Sequence, residues 1–465
     1  MRGRFRASAV LGVLLAACAL PANGLASSLF VIDGAGWGNG VGMSQWGAEG
    51  YALHGWSYKQ ILAHYYPHTT IGSAADRDVR VLIAQSRQQV AVGSAAPFLL
   101  VDAHGFKFHL STSSLVLTPR LLFGKHRLAP PVTIEPGAQP LTLGGTGYRG
   151  ELTLLRAGGT LSVVNTLPLE RYLRGVVPAE MPNHWASQAY EAQAVAARSY
   201  AIATLDPSAQ FDLYADNRSQ MYGGIAAETA ATDDAVGATA GQVLLYGNQV
   251  ITAYYDSNSG GRTAPVQDIF AGRQPVPYLV SVSDPYDSLS PYHRWRVTAL
   301  ASGLSSKLGM PIDDVRVVHT ADGYVSSVVL VGPRGTKQVT AKDFEEALGL
   351  RSLRFSISVI SLDDGPVQVG AAQPLDLHGF LRDIGGVVLQ QLLPDGSWRQ
   401  VRRVHTHPDG RFELTVRPRV STSYRLAVDQ LAGPDLKVEV TRPRPAPSAA
   451  ARSTTRHAKP ASSRP

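Results

Sequence analysis

Short apolar runs separated by glycine, proline and serine dominate the first third of the chain. Runs such as Val79–Ile83, Phe98–Val101 and Leu152–Leu155 have the length and boundaries of β-strands. Further along, apolar residues at helical spacing occur in Ser187–Leu205, and most of them are alanines. The pattern predicts an α+β, β-rich domain in which a long Ala-rich helix lies beneath a groove.

The N-terminal part combines a glycine-rich run with two short helical patterns. Gly34–Ala48 has glycine at alternate positions, and Glu49–His54 and Tyr58–Tyr65 read as short helices joined at Gly55. Residues 28–72 therefore form a segment distinct from the strand-rich stretch that follows.

Three later segments complete the predicted domain organisation. The main domain spans 28–361, and it comprises the segment 28–72, a β-rich part at 73–165 and a core at 166–361. Alternating runs about every ten residues predict an Ig-like β-sandwich at 362–441 as an accessory domain. Residues 442–465 are Pro, Ala, Ser, Thr and basic residues, which predicts a disordered basic tail.

The first 26 residues have the organisation of an export signal. A basic start precedes an apolar run and small residues, so we expect a signal peptide at 1–26 and a secreted protein that acts outside the cytoplasm. Leu15–Cys18 also resembles a lipobox. Contact with a membrane is expected only if Cys18, the single cysteine, is lipidated.

The charge distribution argues against nucleic-acid binding. Lys and Arg number 43, but nine of them lie in residues 1–26 and 442–465, which leaves 34 basic against 36 acidic residues in the body of the chain. A nucleic-acid footprint needs basic residues concentrated on a folded face. We therefore expect no nucleic-acid partner.

Glu180 is the candidate catalytic residue. It lies between Pro178 and Pro182, so we expect it in a fixed turn just before the long helix. Val176, Val177 and other apolar neighbours would raise the pKa of its carboxyl group, which suits a general acid. The alternative is an exposed loop carboxylate, or a charge that complements a helix dipole.

Arg198 is the second candidate. It lies within the long helix, with no acidic residue three or four positions away, so it needs a partner from elsewhere. It either grips a substrate carboxylate or orients a catalytic one, or it forms a structural ion pair.

Two glycine-containing runs are candidate ligand surfaces. Trp37 and Trp46 of the Gly34–Ala48 block could stack on sugar rings, or they could be core residues of a glycine-rich strand. Tyr254–Thr263 reads either as a polar binding loop or as a plain surface turn. A serine hydrolase is an outlying alternative because no G-x-S-x-G run occurs.

Five runs in the sequence carry a resemblance to a known family. They are GWGNGVGMSQWGA, GVVPAEMP, EAQAVAARSYA, FDLYADNRSQMYGG and AYYDSNSGGRT, and together they resemble the SpoIID/LytB family of bacterial cell-wall proteins. The resemblance extends over roughly Ser28–Phe355.

The resemblance implies a lytic transglycosylase that acts on peptidoglycan glycan strands at MurNAc–GlcNAc bonds, with no cofactor. The alternative is a non-catalytic, wall-binding activator of an N-acetylmuramoyl-L-alanine amidase, which would make an amidase a partner. Glu180 matches the family's catalytic acid, and Arg198 matches the arginine of its AVAAR run. The matching runs predict the following substrate-binding residues: Arg198, Gln193, Gln220, Tyr222, Ser257, Ser259, Gly260, Gly261, Trp37, Ser44 and Gln45.

The chain departs from the family pattern in three places. The glycine-rich block usually follows the stretch that corresponds to Val339–Phe355, whereas here it precedes everything, which indicates a circular permutation. Asn39 occupies a position where the family commonly has His. Tyr214 and Ser219 replace the cysteines with which some members bind zinc, so we expect no metal site.

Overall fold

The computed structural model describes residues 28–111, 114–363 and 367–441. The predicted signal peptide at 1–26, with Cys18, and the predicted tail at 442–465 lie outside these ranges. Within them, no helix is long and apolar enough to cross a membrane.

The described ranges contain eight α-helices and 32 strands. The helices are α1 Gln45–Leu53, α2 Tyr58–Tyr65, α3 Leu169–Glu180, α4 Ser187–Ala203, α5 Ala230–Ala238, α6 Val266–Ile269, α7 Ala301–Leu308 and α8 Ala341–Leu348. The first sixteen strands are β1 Leu29–Gly34, β2 Met43–Ser44, β3 Thr70–Ser73, β4 Asp78–Arg87, β5 Val90–Ser94, β6 Phe98–Val101, β7 Lys107–Leu110, β8 Ser114–Leu117, β9 Leu122–Phe123, β10 His126–Arg127, β11 Val132–Glu135, β12 Leu141–Leu143, β13 Thr146–Tyr148, β14 Glu151–Ala157, β15 Thr160–Pro168 and β16 Leu213–Tyr214.

The remaining strands follow the long helix. They are β17 Gln242–Tyr246, β18 Gln249–Val250, β19 Tyr255–Asp256, β20 Trp295–Leu300, β21 Asp314–His319, β22 Val325–Gly332, β23 Gly335–Thr340, β24 Phe355–Leu362, β25 Val367–Gly370, β26 Leu375–Arg382, β27 Val388–Leu392, β28 Trp398–Arg403, β29 Arg411–Val416, β30 Thr422–Val428, β31 Leu431–Ala432 and β32 Leu436–Thr441. This content confirms the predicted α+β, strand-rich class.

The β-rich part consists of two sheets around one apolar core. A seven-stranded sheet has the order β16-β4-β15-β14-β11-β6-β7, and a four-stranded sheet has the order β13-β12-β5-β8. Alternate residues of these strands, such as Val90 and Val92 of β5 or Leu152 and Leu154 of β14, are buried in a shared cluster. The alternation gives each strand one face toward the core.

The long helix α4 is buried on more than one side. Ala192, Val195 and Ala196 lie in a core formed with the glycine-rich segment, while Ala189 and Ala197 lie in a second core. A helix that is apolar all round belongs in the interior. Its small side chains therefore explain why α4 can lie between two packed layers.

The N-terminal strand lies in the middle of a sheet made from much later residues. β1 pairs with β20 on one side and with β24 on the other, and Gly34 lies opposite Phe355. At the other end of β1, the hydroxyl groups of Ser28 and Ser361 lie 3.0 Å apart. The glycine-rich block therefore begins where the Val339–Phe355 stretch ends, as the inferred permutation requires.

The C-terminal strands continue this sheet and add a second one. The first sheet has the order β20-β1-β24-β26-β29, and the second has β25-β32-β30-β27-β28, with β31 beside β30. One apolar cluster joins the two sheets and includes Val31 and Leu29 of β1. The predicted boundary between 361 and 362 therefore falls inside β24.

Candidate active site

Glu180 is the last residue of helix α3. Val176 and Val177 are buried in the core, and the helix continues through Pro178 to end at Glu180. The expectation of a turn around Glu180 is therefore wrong, since burial of this face outweighs the hydrogen bond that Pro178 cannot donate. A short connection at 181–186 then leads into α4.

Three donors from distant parts of the chain surround the Glu180 carboxyl group. The backbone N–H of Met221 donates to Oε1 at 2.7 Å, and the Tyr255 hydroxyl donates to the same oxygen at 3.4 Å. The side-chain Nε2 of Gln45 donates to Oε2 at 3.1 Å. These contacts fix the position of both carboxyl oxygens.

The surroundings of Glu180 favour its protonated form. Burial raises the pKa of the Glu180 carboxyl group, and the hydrogen bonds from Met221, Gln45 and Tyr255 oppose this shift only in part. The residue itself keeps part of its surface open to solvent. A protonated carboxyl group that substrate can still reach has the properties of a general acid.

The glycine-rich block reaches Glu180 through a tight backbone path. Gly36, Gly38, Gly40 and Gly42 all have positive φ, between 79° and 126°. A side chain at Gly42 would collide with the Tyr254 carbonyl oxygen, 1.9 Å from the position of a Cβ atom. Glycine is required there because both the backbone angle and the space exclude a side chain.

Helix α1 connects the end of this block to helices α3 and α4. Ser44 caps α1 by accepting a hydrogen bond from the Gly47 N–H at 3.0 Å. Glu49 accepts a hydrogen bond from the Ala186 N–H at 2.9 Å, at the start of α4. The ring centroids of Trp46 and Trp185 lie 4.8 Å apart in an edge-to-face contact. Gln45 is thereby held against Glu180, so the end of the glycine-rich block lies beside the candidate catalytic residue.

A network of buried carboxylates lies behind the block. Asp284 accepts hydrogen bonds from the Tyr65 hydroxyl at 2.7 Å and from the Ser259 hydroxyl at 2.8 Å. Burial, together with the charge of Asp287, raises the pKa of Asp284 to about 7. Asp287 contacts Nδ1 of His293 at 2.7 Å.

Asp256 is a further member of this network. Its carboxyl group accepts a hydrogen bond from the N–H of Gly40, and burial raises its pKa to about 8. The Asp256 carboxyl group therefore holds the glycine-rich block through the N–H of Gly40. Because their pKa values are about 8 and about 7, the carboxyl groups of Asp256 and Asp284 are protonated over part of the neutral range.

The predicted substrate contact of Arg198 is wrong. Its side chain is 1% exposed and forms a bidentate ion pair with Glu170. Nε donates to Oε1 at 2.7 Å, and Nη2 donates to Oε2 at 2.8 Å. It also donates to the carbonyl oxygens of Gln242 and Val236. Arg198 therefore forms a structural ion pair, because its guanidinium N–H groups donate to other groups of the protein.

Seven other predicted substrate-binding residues are also enclosed by protein, which contradicts direct contact with a substrate. They are Ser44, Gln45, Gln193, Gln220, Tyr222, Ser259 and Gly260. Tyr222 donates to the Asn165 side chain at 2.9 Å, and Ser259 donates to Asp284. The amide atoms of Gln193 have no hydrogen-bond partner among the described residues. Burial gives these residues a role in packing and positioning.

The remaining predicted residues are partly open to solvent. Trp37 is 42% exposed and forms a bridge with Asn258, while Ser257 accepts from the Trp46 N–H at 3.0 Å. Gly261 is partly exposed. Ser257, Asn258 and Gly261 closely follow Tyr255 in the chain, and the Tyr255 hydroxyl contacts Glu180, so these residues define the path that leads to Glu180.

Sequence reasoning missed three parts of the site. Tyr255 and Met221 lie in runs that were singled out, but their contacts with Glu180 depend on the fold. The pair of Asp287 and His293 lies outside these runs. Asn39, where the family commonly has His, accepts a hydrogen bond from the Val41 N–H at 2.8 Å and so shapes a local turn.

Comparison with known proteins places this site in a family. The family model described as "Stage II sporulation protein", SpoIID, matches residues 157–246, which include Glu180 and Arg198. Stage II sporulation protein D of Bacillus subtilis (strain 168) is 31% identical over 214 residues, which are 41% of this chain and 61% of that protein. The protein of the same name from Bacillus amyloliquefaciens is 31% identical over 215 residues, which are 41% of this chain and 60% of that protein.

A shorter match connects the chain with a second kind of protein. The protein named "Amidase enhancer" in B. subtilis (strain 168) is 36% identical over 139 residues, which are 29% of this chain and 18% of that protein. The chain spans about three fifths of the length of the sporulation proteins that it matches. The family match over residues 157–246, these relatives and the five sequence runs confirm the predicted resemblance to the SpoIID/LytB family.

Proposed function

We propose that this protein is an exported lytic transglycosylase that cleaves peptidoglycan glycan strands at MurNAc–GlcNAc bonds. The observation that carries the proposal is the Glu180 carboxyl group, whose pKa is raised by burial while part of the residue stays open to solvent. The match to the SpoIID family model, to sporulation proteins and to an amidase enhancer supports a role at the cell wall.

The reaction needs one carboxyl group that acts first as an acid and then as a base. Glu180 donates its proton to the oxygen of the leaving sugar while the glycosidic bond breaks at the muramyl C1 atom. The C6 hydroxyl of the same muramyl residue then attacks C1, and the Glu180 carboxylate accepts its proton. Because no water attacks, the second carboxylate of ordinary glycoside hydrolases is unnecessary.

The three donors around Glu180 hold it ready for both steps. Gln45 and Met221 each donate to a different carboxyl oxygen, so the group cannot rotate freely between proton donation and acceptance. They also stabilise the carboxylate that exists between the two steps.

The open residues beside Glu180 supply the proposed substrate contacts. Trp37 offers an exposed aromatic face for a sugar ring, and Ser257 and Gly261 lie on the same path. The strands from 362 to 441 form the proposed Ig-like accessory module, for which packing or binding is the expected role.

The experiment that tests this function is an incubation of the purified chain with peptide-free glycan strands. Products with anhydromuramyl ends, identified by mass spectrometry, support transglycosylation. Reducing muramyl ends would instead indicate hydrolysis. Intact strands at high enzyme concentration would refute the enzymatic proposal.

Activation of an amidase is the second candidate function. The match to the protein named "Amidase enhancer" supports it. In this case the chain would bind the wall and raise the rate of an added N-acetylmuramoyl-L-alanine amidase while the glycan strands remained intact. Replacing Glu180 would then leave the stimulation unchanged, which separates the two functions.

A further inference from the structure

A basic cavity lies on the β-rich part, away from the candidate active site. Its volume is about 280 Å³, and its lining includes His104, Arg120, Arg127 and Arg156. These side chains come from the turn after β6, the β9–β10 hairpin with the turn that precedes it, and strand β14. The fold therefore brings cationic groups from three separate segments to one place.

No carboxylate compensates these charges from within the segment. Residues 103–130 contain four Lys or Arg residues and three His residues but no Asp or Glu. Arg120, Arg127 and Arg156 form no ion pair with any described residue. The adjacent Asp102 is buried and accepts backbone hydrogen bonds from His104, Phe106 and Ala129 at 3.0–3.1 Å.

Two large apolar side chains are exposed beside the cavity. Phe106 is 63% exposed, and its ring centroid lies 6.4 Å from that of His104. Leu122 is 49% exposed and directly follows Leu121, which lines the cavity. Exposed apolar groups next to uncompensated cations are typical of proteins that dock on anionic membranes.

We propose that this basic–apolar surface, formed by His104, Phe106, Arg120, Leu122, Arg127 and Arg156, docks the protein on an anionic phospholipid bilayer. The arginines bind lipid phosphate groups in and around the cavity, and Phe106 and Leu122 enter the headgroup–acyl boundary. A soluble phosphate polymer would use the cations, but it would gain nothing from the apolar side chains.

The surface and the candidate active site lie on different parts of the fold. β15 leads into α3 and Glu180, whereas β6 lies three strands further along the seven-stranded sheet, about 14 Å away at ~4.8 Å per strand. None of the residues of this surface contacts Glu180 or its three donors. Docking by this surface also requires no lipid on Cys18.

The test is co-sedimentation of the full chain with lipid vesicles, with Cys18→Ser present throughout so that lipidation cannot contribute. We expect binding to vesicles that contain phosphatidylglycerol and much weaker binding to vesicles of phosphatidylcholine alone. The combined Arg120→Glu, Arg127→Glu and Arg156→Glu substitutions should weaken binding by about 100-fold. Phe106→Ser with Leu122→Ser should weaken it by about tenfold.

A matched control reverses three exposed arginines elsewhere, by Arg402→Glu, Arg403→Glu and Arg417→Glu, and should retain binding. Thermal unfolding of each variant verifies that it is folded. Equal binding to neutral vesicles, or unchanged binding by the charge-reversed variant, would overturn the proposal. Charge-dependent binding of soluble polyphosphate without vesicle binding would overturn the choice of a lipid surface.

Discussion

Gln45 donates a hydrogen bond from Nε2 to Glu180 Oε2 at 3.1 Å, although 135 residues separate the two in the chain. The contact brings the N-terminal glycine-rich block to the carboxyl group at the end of helix α3. It joins a segment from one end of the chain to the candidate catalytic residue.

Replacing Glu180 should abolish glycan cleavage without unfolding the protein. Glu180→Gln keeps the size of the side chain but removes the proton that the leaving oxygen needs, and the loss should be about 10²–10⁴-fold. The measurement is the yield of anhydromuramyl products. Glu151→Gln, at an exposed position on β14, is the control and should retain the wild-type rate. A folded Glu180→Gln protein with normal activity would refute the assignment.

Removing the Gln45 donor should move the pH dependence of cleavage. The acid form of Glu180 is required, so the rate falls as pH rises through its pKa. Gln45→Ala removes a hydrogen bond that stabilises the carboxylate, which raises this pKa further and shifts the alkaline limb to higher pH.

Two further variants make the pH test graded. Tyr255→Phe should also shift the alkaline limb of the pH dependence to higher pH. The shift should be smaller, because the Tyr255 hydroxyl lies farther from the Glu180 carboxyl group, at 3.4 Å. Gln338→Ala, at an exposed position on β23, should leave it unchanged. A shift to lower pH in Gln45→Ala would contradict the proposed role of this hydrogen bond.

The strands and helices were largely predictable because their patterns are local. Alternation placed most C-terminal strands, and the helix predicted at Tyr58–Tyr65 coincides with α2. Pro178 was misread because its effect depends on tertiary packing. The valines before it are buried, and that burial keeps the chain helical as far as Glu180.

Site residues were predictable where the local sequence run identified them. They were not predictable where their role depends on a contact with a residue that is distant in the sequence. The matching runs pointed to Glu180 as the catalytic acid. They could not separate a residue that contacts substrate from one that supports it, because both lie in the same runs. Arg198 illustrates the difficulty, since its partner Glu170 is 28 residues away and the two meet only when α3 packs beside α4.

Breaking the pair of Arg198 and Glu170 should reduce stability. Glu170→Ala leaves the Arg198 guanidinium group buried without its counter-ion, at a cost of about 3–5 kcal/mol in the free energy of unfolding. Urea denaturation measures this loss. The exposed pair of Arg296 and Asp33 provides the control, because Asp33→Asn should cost about 1 kcal/mol or less. Equal effects of the two substitutions would contradict a structural role for Arg198.

Asp284 should make the protein less stable as pH rises. Its pKa is about 7 in the folded protein and near 3.8 in the unfolded chain, so the folded state binds its proton more tightly. The resulting stability is fully present below about pH 3.8 and is lost as pH rises toward and through 7. Asp284→Asn removes this dependence. The melting temperature of the variant minus that of the wild type should therefore become more positive as pH rises from 4 to 8. Asp435→Asn, at an exposed position, should show no such trend.

Removal of the C-terminal strands should damage the main domain, because the two share a sheet. β24 runs from Phe355 to Leu362 and pairs with β26, and Val31 of β1 lies in the same apolar cluster as Leu377 and Leu389. A chain that ends at Ser361 would expose this face of β1 and β24 to water, so we expect aggregation or a lower melting temperature.

A chain that ends at Thr441 keeps all described strands and is the control. Val31→Asp in the full chain tests the same contact without truncation, and it should also lower the melting temperature. A soluble, fully active chain ending at Ser361 would show that the strands after β24 form an independent accessory unit.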